Sequence, residues 1–340
     1  MNEHSDQTMT LSFQQSLLTN SSPRQTRQYK GYKIAVVVPA YNEEALILDT
    51  LCSIPDYVSM IFVINDGSKD RTLSLIQTRQ EVDDRIVIIN HETNKGLGQS
   101  IIDGYLASQK SEADITAIMD GDNQMHPDDL PRLLDALIEE GFDYAKGNRL
   151  LHQNIADMPR YRFLGNAVLT ILTKFATGYY SLMDPQSAYT AIKNKILRTL
   201  PIENMRKGYA YNADILCMLN IRGYKVKNVE VRPVYGREKS KIKLWKYIPQ
   251  TSWLLIRLFL RRLWQRYVVL DFHPLILFYL YAAASTLFII LPLMIRFFTL
   301  YFIMGEAPQT TLIILVFTTI TAFQSILFAI WMDMDYNRPK

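Results

Sequence analysis

Two long apolar segments near the end of the chain constrain the fold more than any other feature. They cover roughly residues 274–296 and 311–332, and neither segment has a polar face. At about 1.5 Å of rise per residue, a helix over either segment spans about 32 Å, enough to cross a bilayer core. We therefore predict a two-helix transmembrane hairpin, in preference to a buried helix pair of a soluble protein. Residues 297–304 are also apolar, so Arg296 falls inside the membrane or at its edge.

The segment directly before the first apolar span is strongly basic. The chain has a formal net charge of +4, yet nine Lys and Arg residues and one acid, Glu238, lie between Arg237 and Arg266. Trp and Tyr residues are interspersed, a pattern that suits a membrane surface or a nucleic acid. Because apolar spans follow, we predict one or two interfacial amphipathic helices over residues 242–271, with a break at Pro249, and no nucleic-acid partner. An ordinary amphipathic helix packed on the preceding domain stays open.

Charge also predicts the orientation of the hairpin, which occupies residues 272–340. Basic residues precede the first span, and Arg338 and Lys340 follow the second, so the positive-inside rule places both ends in the cytosol. The chain starts with no basic region leading into an apolar core, which gives no sign of a cleaved signal peptide. Two cysteines, Cys52 and Cys217, favour a reducing compartment. We predict a multi-pass membrane protein with a cytosolic globular domain.

The globular domain is predicted over residues 31–241, where short β-branched runs alternate with helical stretches. The predicted strands are residues 33–39, 60–65, 85–90 and 115–119. The predicted helices are residues 43–53 and 98–108, with others after Asp70 and Pro127. Such alternation is typical of an α/β, mostly parallel sheet whose ligands bind beyond the carboxyl ends of the strands. Residues 1–30, rich in Ser, Thr, Gln and Asn, are predicted to form a disordered tail.

The clearest chemical signal follows the fourth predicted strand. Asp120-Gly121-Asp122 places two carboxylates on either side of one small residue, so that both can bind one hard divalent cation. Mg²⁺ or Mn²⁺ held there can bridge a diphosphate. Gln124 follows as a further oxygen ligand. His126 is more typical of a solvated loop residue than of one that supports a metal.

Polar loops also follow the other three strands. Glu43 and Asp66 can accept hydrogen bonds from a nucleobase, and Tyr41 can lie against the face of its ring. Lys95 belongs to a small glycine loop, residues 94–98, which suits a phosphate. This loop lacks the GxxxxGK[ST] spacing of a P-loop, which disfavours a kinase or an ATPase.

Together these blocks resemble glycosyltransferase family 2, and most closely its polyprenyl-phosphate glycosyltransferases of the dolichyl-phosphate mannose synthase type. The resemblance covers residue 33 to about residue 241 and rests on VPAYNEE, NDGSKDRT, NKGLG and DGDNQMHPDDL in this order. It implies a GT-A-type (Rossmann-like) domain that binds a nucleotide sugar. The implied nucleotide-pocket residues are Pro39, Tyr41, Glu43 and Asp66. The implied ligands of Mg²⁺ or Mn²⁺ are Asp120, Asp122 and Gln124.

Later blocks of the chain resemble the acceptor side of this family. Arg149 stands where the family keeps a basic residue near a phosphate. Residues 184–190, DPQSAYT, are similar to the family's D-x-x-S-G-F-R block, with alanine and threonine in place of glycine and arginine. Asp184 is the best carboxylate of this block, and Asp214 either faces the sugar or caps a helix over residues 214–222. The segment containing Arg232, Ser240 and Lys241 is similar to the family's lipid-phosphate segment.

The reaction that these residues suit needs little acid–base chemistry. A polyprenyl or dolichyl phosphate is already an anion at neutral pH, so it can attack an anomeric carbon without a strong base. It needs positioning and charge neutralisation on the departing nucleoside diphosphate. The predicted catalytic residues are Asp122, Asp184, Asp214 and Arg149. The predicted binding residues are Pro39, Tyr41, Glu43, Asp66, Lys95, Asp120, Arg232, Ser240 and Lys241.

The sequence therefore predicts an inverting transferase that moves one hexosyl or N-acetylhexosaminyl group to a polyprenyl phosphate, with a UDP-sugar favoured as donor. One alternative is another lipid acceptor, such as a glycolipid or a lipid-linked oligosaccharide. A second alternative is a membrane scaffold that binds a nucleotide sugar without turnover. A processive polysaccharide synthase is disfavoured because no Q-x-x-R-W segment occurs. A homo-oligomer is left open.

Overall fold

The computed structural model describes residues 27–149, 160–208, 210–232, 244–305 and 307–338. The strands are β1 Ile34–Ala40, β2 Val58–Asn65, β3 Ile86–Asn90, β4 Ile115–Ile118, β5 Tyr144–Asn148, β6 Thr190–Lys193 and β7 Val226–Glu230. The helices of the globular part are α1 Ile47–Ser53, α2 Thr72–Val82, α3 Leu97–Lys110, α4 Leu130–Ile138, α5 Arg160–Thr177, α6 Asn194–Leu197 and α7 Tyr211–Ile221. The later helices are α8 Leu244–Trp264, α9 Leu275–Ser285, α10 Leu291–Met304 and α11 Gln309–Tyr336.

The seven strands form one sheet in the order β3-β2-β1-β4-β6-β5-β7. Only β6 runs antiparallel, against β4 and β5, while the other pairings are parallel. This confirms the predicted mostly parallel α/β fold. Register brings Ala40 opposite Asn65 and Asn65 opposite Asn90, so the first three strands end at one edge. The loops that carry the predicted site therefore start side by side.

Burial on both faces explains why the strands are continuous apolar runs. All seven residues of β1 are buried, and alternate side chains point to opposite faces. Val36 and Val38 pack with Leu51 of α1 in one core cluster. Val37 packs with Ile101 of α3 in the other. β-branched residues suit such strands because their stiff side chains fill a pleated surface well.

Helix α8 runs unbroken from Leu244 to Trp264, so the prediction of a break at Pro249 is wrong. Proline removes one backbone hydrogen bond, but its backbone angle is compatible with a helix, and tertiary contacts hold the later turns. Leu255 and Leu258 of α8 are buried against α5 and α7. A π-helical segment, Gln265–Leu270, extends the helix.

The opposite face of α8 is apolar and exposed. Its exposed large apolar side chains are Trp253, Ile256, Leu260 and Trp264. These positions recur every three to four residues, which places them on one stripe of the helix. The helix therefore both packs on the α/β domain and presents an apolar stripe outward, so contact of this stripe with a membrane interface stays a prediction.

The two apolar spans form helices that are longer than predicted. The first runs through α9, a π-helical turn at Thr286–Ile290, and α10, so it passes the expected end at residue 296. The second, α11, also extends beyond residues 311–332. Arg296 therefore lies within a helix rather than after it.

Both helices are long and apolar enough to cross a membrane. Only 17% of the apolar window in each is buried, whereas a core helix of a soluble protein is mostly buried. Small buried residues mark their mutual contact, namely Ala282, Ser285, Ala322 and Ala329. Small side chains let apolar helices approach closely, which is how helices associate in lipid. These features are consistent with membrane anchoring.

A buried ion pair joins the last helix to the rest of the chain. Arg262 of α8 donates from Nη1 to Asp333 Oδ1 (2.8 Å) and from Nη2 to Asp333 Oδ2 (2.7 Å). Both side chains are fully buried. Arg262 Nη2 also donates to the carbonyl oxygen of Phe175 at 2.9 Å, so one guanidinium contacts both α5 and α11.

Neighbouring polar groups complete this arrangement, which we call the Arg262–Asp333 junction. Tyr180 and Tyr267 both donate from their hydroxyls to the Asp333 carboxylate. Asn337 donates to Asp333 Oδ1 (2.8 Å) and accepts from Asn220 of α7 (2.7 Å). The α/β domain, α8 and α11 thus share one hydrogen-bonded network.

We expect Asp333→Ala to lower the free energy of unfolding by about 3–5 kcal/mol, because it leaves Arg262 buried without a counter-ion. The double variant Arg262→Met/Asp333→Leu should recover most of this loss, since it removes both charges. Glu112→Gln, which removes an exposed pair with Lys33, is the control and should change stability by less than about 1 kcal/mol.

The measurement is unfolding of detergent-solubilised protein, followed by tryptophan fluorescence. An Asp333→Ala protein as stable as Glu112→Gln would show that the junction contributes nothing to stability.

Candidate active site

The loops after β1 and β2 are hydrogen-bonded to each other. The backbone N–H of Asn42 donates to Ser68 Oγ (3.1 Å), and the N–H of Lys69 donates to Asn42 Oδ1 (2.8 Å). The N–H of Glu43 donates to Thr72 Oγ1 at 2.8 Å. The predicted start of a helix at residue 43 is wrong, because residues 44–46 form a turn whose last N–H, that of Leu46, donates to the carbonyl oxygen of Glu43, and α1 begins at Ile47.

Asp66, at the end of β2, organises the glycine loop after β3. It is 3% exposed, and its carboxylate accepts the N–H of Lys95 and the N–H of Gly96, both at 2.8 Å. His91 Nδ1 lies 2.7 Å from Asp66 Oδ1, and His91 Nε2 lies 2.9 Å from Asp103 Oδ2. Both oxygens of Asp66 are therefore engaged within the chain, and its contact with a nucleobase stays a prediction.

Two glycines allow these loops to pack backbone against backbone. A Cβ on Gly67, whose φ is +68°, would lie 2.6 Å from the carbonyl carbon of Thr93. A Cβ on Gly98 would lie 2.4 Å from the carbonyl oxygen of Arg206. Only glycine permits such approaches. Lys95 is consequently held, exposed, between the loop after β2 and the segment before α7.

The Asp120-Gly121-Asp122 segment is fixed by the neighbouring strand and helix. Gly121 donates its N–H to the carbonyl oxygen of Pro39 and accepts from Thr50 Oγ1, both at 3.1 Å. Asp122 Oδ1 accepts the N–H of Gln124 at 3.1 Å. The two carboxylates therefore start from a backbone that is bonded to β1 and α1.

Asp120 has the electrostatics of a cation ligand. Its Oδ1 atom is buried and has no hydrogen-bond partner among the described residues. Burial and then the charge of Asp122 raise the pKa of Asp120 to about 7, while the charge of Arg149 opposes this increase. Since a buried carboxylate oxygen without a partner is costly, a cation bound there would stabilise the ionised form.

The side chains at this site suit Mg²⁺ or Mn²⁺ that is coordinated partly by the protein and partly by a bound ligand. Within the described ranges, no three His, Cys, Asp or Glu side chains converge on one point. Asp120 and Asp122 would therefore supply the carboxylate oxygens, with phosphate oxygens and waters completing the shell, as is common for Mg²⁺. Gln124 lines the same small cavity as Asp120.

Two arginines line this cavity with Asp120. Arg149 donates from Nε to Asp184 Oδ2 (2.9 Å), and Asp184 is buried. Arg232 donates from its backbone N–H to Asp129 Oδ2 (2.8 Å) and from Nε to Asp129 Oδ1 (3.1 Å). Each guanidinium is oriented by a buried carboxylate and stays partly exposed, so both can contact an anion.

Asp214 is not a helix cap, because α7 begins at Tyr211 and includes it. Its Oδ2 accepts the N–H of Arg206 at 3.0 Å, and Arg261 Nη1 of α8 lies 3.6 Å from Oδ1. Burial raises the pKa of Asp214. The carboxylate thus links α7, α8 and the segment that packs on Gly98. Ser240 and Lys241 lie outside the described residues.

Lys146 of β5 was missed by sequence reasoning. Its ammonium is fully buried and donates to the carbonyl oxygen of Ser187 and to Asn212 Oδ1 (3.0 Å). Burial lowers the pKa of Lys146 to about 7, and the negative charge of Asp184 opposes this decrease. The side chain connects the 184–190 block to the start of α7. The strand reads YAKGN and also contains Asn148, so its sequence gave no clear signal for Lys146.

Comparison with known proteins identifies a matching family and several similar sequences. Residues 35–200 match the sequence model of the family described as glycosyl transferase family 2. The chain is similar to a UDP-N-acetylglucosamine–dolichyl-phosphate N-acetylglucosaminyltransferase of Methanococcus voltae, at 27% identity over 59% of this chain and 86% of that protein. It is also similar to an undecaprenyl-phosphate mannosyltransferase of Micrococcus luteus, at 26% identity over 62% of this chain and 87% of that protein.

Solved structures show the same fold. Glucosyl-3-phosphoglycerate synthase from Mycobacterium tuberculosis, in complex with Mn²⁺, uridine diphosphate and glucosyl-3-phosphoglycerate, superposes with a TM-score of 0.52. That match covers 68% of this chain and 80% of the synthase at 21% sequence identity. The likeness confirms the predicted GT-A-like architecture of the α/β domain.

The buried Lys146 predicts a pH-dependent stability. The pKa of Lys146 is about 7 in the folded chain, whereas an exposed lysine has a pKa of 10.5. Between pH 7 and pH 10.5 the unfolded chain therefore binds more protons than the folded chain. Wild-type stability should therefore rise with pH relative to Lys146→Met, by up to about 1.4 kcal/mol per pH unit. Below pH 7 the difference between the two proteins should level off.

Unfolding midpoints of the wild type, Lys146→Met and the exposed control Lys195→Met, measured from pH 6 to about pH 9, test this. Parallel curves for the wild type and Lys146→Met would contradict it.

Proposed function

Because the chain carries a glycosyltransferase family 2 domain over residues 35–200, we propose that it is a membrane-anchored, inverting glycosyltransferase. In this proposal, one sugar moves from a nucleotide sugar to a polyprenyl or dolichyl phosphate. The observation that carries the proposal is the cavity in which Asp120, with its unpartnered Oδ1, lies with Arg149 and Arg232. Such a cavity has both a carboxylate for a cation and two guanidiniums for anions.

The donor is proposed to bind across the carboxyl edge of β1, β2 and β4. Tyr41, which is 41% exposed, is available to stack on the base, and Glu43, two residues later, is partly exposed. Asp120 and Asp122 would hold Mg²⁺ or Mn²⁺, which neutralises charge on the departing diphosphate when bound. Lys95 adds a positive charge at the neighbouring loop.

Arg149 and Arg232 are proposed to hold the acceptor phosphate. One phosphate oxygen attacks the anomeric carbon, the bond from that carbon to the diphosphate oxygen breaks, and the nucleoside diphosphate leaves with both bonding electrons. Displacement from the opposite side inverts the anomeric centre. The arginines reduce repulsion between the acceptor phosphate and the diphosphate.

The contacts of the two remaining carboxylates favour an acceptor that is already ionised. Asp184 is paired with Arg149, and Asp214 accepts a backbone N–H and lies near Arg261. Asp184 therefore positions Arg149. Asp214 positions the segment before α7, while its Oδ1 is buried without a hydrogen-bond partner among the described residues. A neutral hydroxyl acceptor would need a general base in contact with the acceptor.

A UDP-sugar is the proposed donor, carrying a hexosyl or N-acetylhexosaminyl group. Support comes from one relative, which is named for UDP-N-acetylglucosamine and dolichyl phosphate, and from the uridine diphosphate in the structurally similar synthase. The apolar hairpin, the stripe on α8 and the basic residues near it are proposed to keep the domain at the cytosolic membrane surface.

The central test uses purified full-length protein, a short polyprenyl phosphate, Mg²⁺ or Mn²⁺ and a panel of nucleotide sugars. Mass spectrometry of the lipid fraction should reveal one metal-dependent glycosyl phosphate lipid. Asp122→Ala should lower its rate of formation by at least about 100-fold, since charge on the leaving group is no longer neutralised. Asp56→Ala, an exposed change outside the site, is the matched control.

No product from any donor, with a folded protein that still binds nucleotide, would contradict the proposed acceptor. Nucleotide binding that chelation leaves unchanged would instead favour a scaffold.

Asp214→Asn separates a phosphate acceptor from a hydroxyl acceptor. The amide oxygen can still accept from the N–H of Arg206, so we expect kcat to fall by less than about tenfold, because no proton must be removed. A fall of about 100-fold or more in kcat, with KM unchanged, would indicate a general base and hence a hydroxyl-bearing lipid. Steady-state kinetics with the preferred donor provide both values.

A further inference from the structure

A second cavity, of about 520 Å³, lies at the end of the last helix, far along the chain from the residues of the active site. It is bounded by Arg266 of the π-helical segment, His273 of the connection to α9, and Trp331, Met332, Asp335 and Tyr336 of α11. We call it the α11-end cavity. Nothing in the proposed transfer reaction uses these residues.

Arg266 lacks the partners that a guanidinium in this position needs. Its Nε and Nη1 atoms are buried and have no hydrogen-bond partner among the described residues. Its guanidinium carbon lies 5.1 Å from the ring centre of Tyr336 and 6.0 Å from that of Tyr267. Stacking on the rings orients the guanidinium but satisfies none of its N–H groups. An anion bound in the cavity would supply the counter-charge that this guanidinium lacks among the described residues.

The cavity also holds the opposite charge. Asp335 lines it with a side chain that is 63% exposed, and Arg338 Nη1 lies 3.7 Å from Asp335 Oδ1. Tyr336 donates from its hydroxyl to Asp271 Oδ2 at 3.3 Å. His273 Nδ1 accepts the N–H of Leu275 at 3.3 Å, so in the neutral ring Nε2 carries the hydrogen and can donate. A ligand with only negative charge would therefore meet a carboxylate here.

The walls of the cavity change from apolar to polar over a short distance. Leu270 and Phe272, beside it, are 63% and 65% exposed, and Trp331 is 62% exposed. Asp335 and Arg338 follow within two turns of Trp331. In a helix long and apolar enough to cross a membrane, this change marks the depth of the lipid head groups, where tryptophan and tyrosine concentrate.

We propose that the α11-end cavity binds the head group of a zwitterionic phospholipid. The phosphate would lie against the part of the Arg266 guanidinium that faces the cavity, the ammonium would lie near Asp335 and the ring of Trp331, and the acyl chains would follow Leu270 and Phe272. A phosphoethanolamine head matches this set best, because its primary ammonium can donate to a carboxylate. The inference rests on the proposed membrane anchoring, but not on sugar transfer.

Native mass spectrometry of the full chain in detergent tests the proposal. The probe is an equimolar mixture of phosphatidylethanolamine, phosphatidylcholine and phosphatidylglycerol with identical acyl chains. The wild type should retain one phosphatidylethanolamine most strongly. Arg266→Gln should lower retention of all three lipids by about tenfold, the loss expected for charge-assisted hydrogen bonds. Arg27→Gln, which removes an exposed pair with Asp84 on the α/β domain, is the matched control.

Asp335→Asn tests the contact with the ammonium independently of the contact with the phosphate. Because Asp335 is exposed, we expect this variant to fold. It should abolish the preference for phosphatidylethanolamine over phosphatidylglycerol while leaving phosphatidylglycerol bound. Equal retention by Arg266→Gln and Arg27→Gln would overturn the proposal. So would a wild-type preference for phosphatidylglycerol, or an unchanged preference in Asp335→Asn. None of these readouts depends on glycosyltransferase activity.

Discussion

The bidentate pair between Arg262 and Asp333 holds the molecule together where its soluble and apolar parts meet. Both side chains are fully buried, so each charge depends on the other and on the hydroxyls and amides around it. Gly178 leaves the space for this pair, since a Cβ there would lie 2.8 Å from Arg262 Nη1. Because the bonds reach α5, α8 and α11 at once, the α/β domain has a defined position relative to the apolar hairpin. A proposed lipid acceptor held in the membrane would therefore meet the site from a fixed direction.

In the candidate site, too, buried charged groups hold other parts of the chain in place. Three exposed charged side chains of the site are each positioned by a buried carboxylate. Asp184 orients Arg149, Asp129 orients Arg232, and Asp66 arranges the loop that carries Lys95. Asp120 differs, since it is buried and its Oδ1 has no partner among the described residues. Such a site is arranged before any ligand arrives, which lowers the reorganisation needed for transfer.

The periodicity of apolar residues predicted the architecture well, because the spacing of these residues shows which face of a strand or a helix is buried. The four predicted strands and the apolar spans were found, with ends shifted by a few residues. The periodicity predicted the ends of helices less accurately. Residues 44–46 form a turn before α1, which begins at Ile47, and α8 continues through Pro249 because its later turns are packed. His91 and Lys146 were missed because their importance comes from partners that lie elsewhere in the chain.

By itself the sequence determined which kinds of groups are available and where the strands deliver them. A buried β-branched run followed by Asp-Gly-Asp is enough to place two carboxylates at a strand end, and an apolar segment of sufficient length is enough to predict a membrane helix. Only the tertiary structure decided how these charges are paired. Lys146 contacts Ser187, and Arg262 contacts Asp333, across 41 and 71 residues of chain. Electrostatic energy depends on distance and burial in space, so which carboxylate orients an arginine and which can receive a cation follows only from the folded chain.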